Sequence, residues 1–193
     1  MSMKRLLFVL FLAIFGFAGK ADAQKVALKT NALYWATTTP NLGLEVGLGK
    51  RTTIDIMGGY NPFTLNKELN RKVKHWSVMP EFRYWFCERF QGHYLGLHTG
   101  YMFYNVGAIQ IPFQSAETRL NRYQGWATGV GLAYGYTWIL GKRLNLEATI
   151  GVGYAYTNFD VYECKNCGKY KGPGEMHYVG PTKLALNLIY MIK

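Results

Sequence analysis

Beyond residue 24 the chain has no apolar run of the roughly 20 residues that a membrane helix needs, which excludes a helical membrane span in that part. Acidic residues are scarce, 11 against 22 Lys and Arg, so the formal charge is +11. Hydroxyl nucleophiles of the serine type are almost missing, Ser77 and Ser115 being the two after residue 23. There are three cysteines, none of them beside the N-terminal segment, so a lipid-anchored N-terminus is not expected. Mean hydropathy is −0.07, close to neutral. A soluble protein gives such a value, and so does a barrel in lipid, because every second residue of its strands points into a polar interior.

What is present begins with a targeting segment. Lys4 and Arg5 precede an apolar run from Leu6 to Ala18, and Ala21, Asp22 and Ala23 form a small-x-small cleavage pattern. The expectation is a signal peptide over 1–23 and one mature domain over 24–193. Removal of the segment takes away three cations (Lys4, Arg5, Lys20) and one acid (Asp22), lowering the net charge from +11 to +9. A basic chain suits nucleic acid, a membrane or an acidic surface. Export removes nucleic acid and leaves outer-membrane lipid and lipopolysaccharide as the expected partners.

From residue 26 onward the sequence alternates with period two, the mark of strands. Residues 125–138 show it best: Trp126, Thr128, Val130, Leu132, Tyr134, Tyr136 and Trp138 share one face, and Gly125, Ala127, Gly129, Gly131, Ala133, Gly135 and Thr137 the other. Residues 144–156 and 183–192 repeat the pattern, and shorter versions fall at 42–48, 54–56, 75–86 and 95–103. The segment 26–36 is the least regular. Eight strands are expected, joined by short turns at 49–51, 87–92 and 141–143 and by longer connections at 37–41, 61–73, 105–122 and 158–178. Gly49-Lys50-Arg51 and Gly141-Lys142-Arg143 echo each other, and parity pairs Leu48 with Thr52 and Leu140 with Leu144; Gly is expected to supply a positive φ there.

These features predict an all-β fold: an eight-stranded antiparallel up-and-down transmembrane β-barrel after a cleaved signal peptide. Trp76, Tyr84, Trp126, Tyr136, Trp138, Tyr154, Tyr156 and Tyr190 fall near strand ends, where interface girdles form. The alternative is a soluble sandwich or lipocalin-like barrel with the apolar face inside. That arrangement would leave strips of Gly and Ala facing water.

The runs Ala27-Leu28-Lys29-Thr30-Asn31, Thr37-Thr38-Thr39-Pro40-Asn41-Leu42-Gly43-Leu44-Glu45, Gly58-Gly59-Tyr60-Asn61-Pro62, Pro80-Glu81-Phe82-Arg83-Tyr84-Trp85 and Cys87-Glu88-Arg89-Phe90 resemble a family of small exported barrel proteins of unassigned function. The resemblance spans nearly the whole mature chain and is most specific over 74–92. It implies the barrel and the bacterial outer membrane, with loops extracellular and both termini periplasmic. It also implies a fimbria-type surface partner, and no chemistry.

By parity the inward face collects Lys29, Glu45, Asp55, Glu81, Arg83, His98, Glu147 and Lys183. Glu45 should lie opposite Asp55, so Arg83 or Lys29 should complete the cluster. Small barrels fill their interiors this way, leaving no pore. His75 and Ser77, two apart on one face, resemble the base and nucleophile of lipid A deacylases. Glu81 would then lie about 20 Å along the strand from His75, too far to orient it. Cys164 and Cys167 form a CxxC motif, read first as a local disulfide, with a zinc half-site completed by His177 or a redox pair as alternatives. Cys87 lies a barrel height away from both. Lys67, Arg71, Lys72 and Lys74, Arg119 and Arg122, and Lys165, Lys169 and Lys171 place cations in three outer loops. The function expected is a non-enzymatic barrel presenting surface loops, anchoring or assisting a fimbria-like assembly. The alternative is a lipid A-modifying enzyme. No cofactor and no metal is expected.

Overall fold

A computed structural model describes residues 26–66, 71–107, 121–163 and 168–192. The elements are β1 (Val26–Asn31), α1 (Ala32–Ala36), β2 (Asn41–Gly47), β3 (Thr52–Asn61), β4 (Thr64–Asn66), β5 (Arg71–Trp85), β6 (Gly92–Gly107), β7 (Asn121–Ile139), β8 (Leu144–Glu163) and β9 (Tyr170–Met191). Eight antiparallel up-and-down strands close into one ring, because β1 pairs with both β2 and β9 and β3 pairs with β5. The short β4 prolongs the β3 side of the β5 edge. No helix among the described residues is long and apolar enough to cross a membrane.

The ring is staggered. A walk from Ala27 through Glu45, Asp55, Glu81, His98, Gly131 and Gly153 reaches β9 at Gly180, yet Ala27 itself pairs with Met191, eleven residues further on. At about 3.3 Å per residue this is roughly 36 Å of stagger, against a girth of roughly 38 Å for eight strands about 4.8 Å apart. Strands so sheared tilt by about 40°.

The first and last described residues lie at one end of the ring, where Ile192 N donates to Val26 O. The short turns at Gly49, Cys87 and Gly141 share this lower end. Leu48 N donates to Thr52 O and Leu140 N to Leu144 O, as parity requires. Positive φ occurs at Gly92 and Gly172 and not at Gly49 or Gly141, which corrects the reason given for those two glycines. Gly49 answers to space instead, because a Cβ there would lie 2.9 Å from Thr52 Oγ1.

Two further expectations change. The first strand ends at Asn31 rather than running towards Ala36. Asn31 turns extended backbone into an N-cap whose side chain accepts from Leu33 N at 3.0 Å, and α1 follows. The described residues of the last upper connection are mostly strand, and those of 105–122 continue β6 and β7. β8 and β9 stay paired from Asn158↔Glu175 to Tyr162↔Tyr170, and β6 and β7 to Gly107↔Arg122. Alternation of apolar residues stops at Asn158, but ladder hydrogen bonds need only backbone, so the strands continue.

Burial follows the pleat in the opposite sense to a water-soluble core. Buried side chains include Lys29, Glu45, Glu81, Arg83 and Glu147, whereas Leu132 is 64% and Leu184 63% exposed. Inward glycines make room for the large inward residues. A Cβ at Gly135 would meet the Tyr94 ring at 2.4 Å, and one at Gly96 would meet Glu81 Oε1 at 2.1 Å. Gly135→Val should therefore destabilise the folded ring by about 1–3 kcal/mol, the usual cost of overpacking. Leu132→Val, on the outward face of the same strand, should change much less. Urea midpoints of the two variants in detergent micelles check this.

Candidate functional site

Period-two alternation on seven strands brings the charged residues to one level. Glu45, Asp55, Glu81 and His98 are successive cross-strand partners on β2, β3, β5 and β6. A row of carboxylates repels itself unless a cation joins its members. Arg83 does so from the centre. Its Nη1 donates to Glu45 Oε2 at 3.0 Å and Glu147 Oε2 at 2.8 Å, Nη2 to Asp55 Oδ2 at 2.9 Å and Nε to Glu81 Oε1 at 3.2 Å. Lys29 pairs with Glu147 at 2.9 Å and with Glu45, and Lys183 pairs with Glu81. Arg83 and Lys29 thus both complete the cluster expected from one of them.

Neutral donors add to the ion pairs, while Asp55 Oδ1 is buried with no hydrogen-bond partner. Asn187 donates to Glu147 Oε1 at 2.7 Å, Thr53 donates to Glu45, and the Tyr94 hydroxyl meets Thr149 at 2.7 Å. Tyr94 lies under the guanidinium, 4.5 Å from Arg83 Cζ to the ring centre. Sequence reasoning left out Tyr94, Trp85 and Thr149 although parity placed them inward; only charged residues had been drawn from that face. All eight lumen residues named from the sequence do face inward.

Below the charged layer the lumen is filled. The turn after β5 folds back so that Phe90 packs with Ala27 and Ile189, and Trp85 stands 4.7 Å from Tyr94 between ring centres. Trp85 Nε1 donates to Thr53 Oγ1 and Asn145 to Phe90 O. Above the layer lie two adjoining cavities. One of about 300 Å³ is lined by Met57, Met79, Lys183 and Asn187. The other, of about 350 Å³, is lined by His75, Ser77, Met79, His98, Met102 and Tyr178. Tyr34 of α1 lines both, so the helix partly roofs the lumen.

His75 and Ser77 share the second cavity but do not make a catalytic pair. His75 Nδ1 lies 3.2 Å from Val73 O, and no bond joins His75 to Ser77. Glu81, the acid on their face, is engaged by Arg83 and Lys183. Among the described residues no group of His, Cys, Asp and Glu is placed to hold a metal. Cys164 and Cys167 lie outside the described residues, as do Lys67, Arg119 and Lys165. His177 faces outward, its Nδ1 2.5 Å from the Tyr154 hydroxyl, and Cys87 is an exposed free thiol. Lys72 and Arg122 belong to strands rather than to loops, and Arg71 begins β5. Lys171 lies in β9 and Lys169 just before it.

The outer face carries aromatic rings at two heights. Trp76, Tyr101, Trp126, Tyr156 and His177 form an upper chain with centroid spacings of 5.5, 6.1, 5.7 and 5.1 Å. Phe86, His93, Tyr136 and Trp138 form a lower one at 6.5, 4.5 and 4.8 Å. Exposed Leu, Ile and Val fill the zone between them, including Leu97, Val130, Leu132, Ile150 and Val152.

Removing Arg83 would leave four carboxylates with two cations in a buried space. Arg83→Met should cost about 3–5 kcal/mol, the penalty for breaking a buried pair. Arg83→Lys should rescue little, because an ammonium cannot reach four carboxylates. Equilibrium urea unfolding of both variants in micelles tests this, and an unchanged midpoint for either would contradict the central role of the guanidinium.

A family model described as a protein of unknown function (DUF3575) matches residues 6–192. Comparison with the curated proteins and with the solved structures found no match. With the match covering nearly the whole sequence, the chain belongs to the DUF3575 family of proteins of unknown function.

Proposed function

We propose that this protein is an outer-membrane β-barrel without a through-channel, whose apolar outer face lies in lipid and whose long upper strands carry loops to the cell surface. The observation that carries the reading is the inverted burial, with Arg83 and its carboxylates inside and a belt of Leu, Ile and Val outside between two aromatic rows. In water such a belt would be an exposed apolar patch far larger than soluble monomers tolerate. In lipid it is the favourable surface, and Trp and Tyr belong at its two rims.

The dimensions agree with this reading. Trp126 and Tyr136 of β7 stand at the two aromatic heights, ten residues apart in the chain. At about 3.3 Å per residue and about 40° of tilt they are roughly 25 Å apart along the ring axis, the height of a barrel's apolar band. The export segment expected over 1–23 supports the same location, with both termini in the periplasm. The filled lower lumen argues against transport, and among the described residues no acid bonds to His75, which argues against acyl-chain hydrolysis. A scaffold that holds surface loops, with a fimbria-like assembly as the partner implied by the family resemblance, is the function that remains.

Leu132→Arg separates this reading from a soluble one. At the middle of a lipid-facing belt, Arg should destabilise the protein by about 2–4 kcal/mol in vesicles. On a water-exposed surface the same change should stay within about 0.5 kcal/mol. The wild-type protein should also migrate differently on a gel before and after boiling. Unaltered migration together with a neutral Leu132→Arg would overturn the proposal. Ser77→Ala should leave the lipid A mass profile of the producing cells unchanged, and a lost acyl modification would restore the enzymatic alternative.

A further inference from the structure

Above the upper aromatic row the outward residues of β5, β6 and β7 change character in two steps. The row Tyr60, Trp76, Phe103 and Trp126 is aromatic. One step towards the upper end comes Lys74, Asn105 and Gln124, and the next step is Lys72, Gly107 and Arg122. Aromatic, then amide with ammonium, then paired cations is the order that a phospholipid or glycolipid presents from its acyl chains outward to its phosphate. Gly107 contributes no side chain between Lys72 and Arg122. With adjacent strands about 4.8 Å apart, the two cations start about 10 Å from each other, within joint reach of one phosphate.

The wall is open at this place. Pro62 has no N–H, and the N–H of Phe63 is donated to its neighbour Asn61 Oδ1 at 3.0 Å. The β3–β5 ladder therefore stops at Asn61↔His75, and pairing resumes with β4 at Thr64↔Lys72. A groove of about 330 Å³ lies over the gap, lined by Tyr60, Pro62, Lys74, Trp76, Phe103 and Asn105. Arg122 stacks on Tyr162 at 4.3 Å, and its Nε is buried with no hydrogen-bond partner. The neighbouring strands carry charges of both signs at these heights: Asp160 of β8, the cross-strand partner of Gln124, and Glu175 of β9 accept from the Tyr170 and Tyr156 hydroxyls, and Lys171 of β9 donates to Asn121 Oδ1 at 2.9 Å.

We infer that the outward groove over β3, β5 and β6 is a binding site for the phosphate-bearing headgroup of an outer-leaflet glycolipid, with Lys74 in the groove and Lys72 and Arg122 on the step above it as the cationic contacts, and Trp76 and Phe103 against the first acyl carbons. The inference rests on the membrane reading above. It adds a fixed lipid to it, held at one wall rather than spread as an annulus around the protein. A phosphate gains both charge neutralisation and hydrogen bonds there, since Lys and Arg supply N–H donors and Arg can engage two oxygens at once.

The test uses the full mature protein in phosphatidylcholine vesicles doped either with bis-phosphorylated lipid A or with the same lipid after phosphatase treatment. Retained lipid is counted by native mass spectrometry after mild detergent extraction, and heat-dependent gel migration reports insertion. The wild type should keep the phosphorylated lipid in preference to the dephosphorylated one. The K74Q/R122Q variant should lose about thirtyfold of that preference, the factor two basic contacts contribute at an anionic lipid surface. K142Q/R143Q, at the turn on the lower end, should keep it. Inorganic phosphate in millimolar excess should not displace the lipid; full displacement would make this a plain anion site and overturn the lipid assignment. Normal insertion with no preference for phosphate, or with the preference intact in K74Q/R122Q, would overturn this inference alone. Failure of the wild type to insert into either vesicle would overturn the membrane reading with it.

Discussion

Arg83 meets four carboxylates on four other strand positions, and the ring is organised around that fact. Glu45 and Asp55 face one another across β2 and β3, Glu81 is next in the same row, and Glu147 reaches across from β8. Without a shared cation these groups would repel at close range in a space closed to water, where unpaired charge is most costly. A guanidinium has five N–H donors in a rigid plane, and here they are divided among all four acids. Lys29 and Lys183, on the paired strands β1 and β9, add two further cations. The cluster therefore ties β1, β2, β3, β5, β8 and β9 together across the lumen, which ladder bonds between neighbouring strands cannot do.

Packing details serve that centre. Tyr94 supports the guanidinium from below, and Gly135 lacks a side chain because the Tyr94 ring occupies the space. Gly96 likewise leaves room for Glu81, and Gly131 and Gly151 for the His98 ring. Gly131 and Gly135 of β7 are thus the counterparts of the large polar residues His98 and Tyr94 on β6, as Gly96 of β6 is of Glu81 on β5. Since the interior is polar, hydrophobic burial inside the ring contributes little. The apolar surface that drives folding must find its solvent outside, and for the belt around Leu132 lipid is that solvent on the reading proposed here.

The part of this legible in the sequence is the part governed by period two. A pleated strand sends successive side chains to opposite faces, so Lys29, Glu45, Asp55, Glu81, Arg83, His98, Glu147 and Lys183 could be assigned to one face residue by residue. The pairing of Glu45 with Asp55 followed from a three-residue turn and parity alone. Which face was the interior was not contained in the alternation, because a soluble and a membrane barrel share it. Other features have different causes. The end of β1 at Asn31 is a matter of capping, and a lone Asn before Ala-Leu-Tyr-Trp is a weak local signal. The upper strands outrun their apolar pattern because backbone pairing continues where the outward residues turn polar, so Asn158 to Glu163 read as loop and folded as strand. The return of Phe90 into the lumen depends on a positive φ of 65° at a residue other than glycine, which no spacing rule anticipates.

The two ends of the ring therefore do different work. The lower end has three short turns, the first and last described residues and an apolar plug of Ala27, Phe90 and Ile189 beneath the charged layer. The upper end has α1, strands that rise well past the aromatic row, and cavities beside Tyr34 and Met79 that the charged layer closes from below. A rigid, charge-locked lower half is what lets long antiparallel pairs such as β8 and β9 project without fraying, because their register is already set by Leu146↔Leu188 and Glu147↔Asn187 deep in the ring. On the reading proposed here the lumen polar network is the foundation of recognition at the far end, and the residues proposed to hold lipid lie at the upper rim, beyond the reach of the cluster.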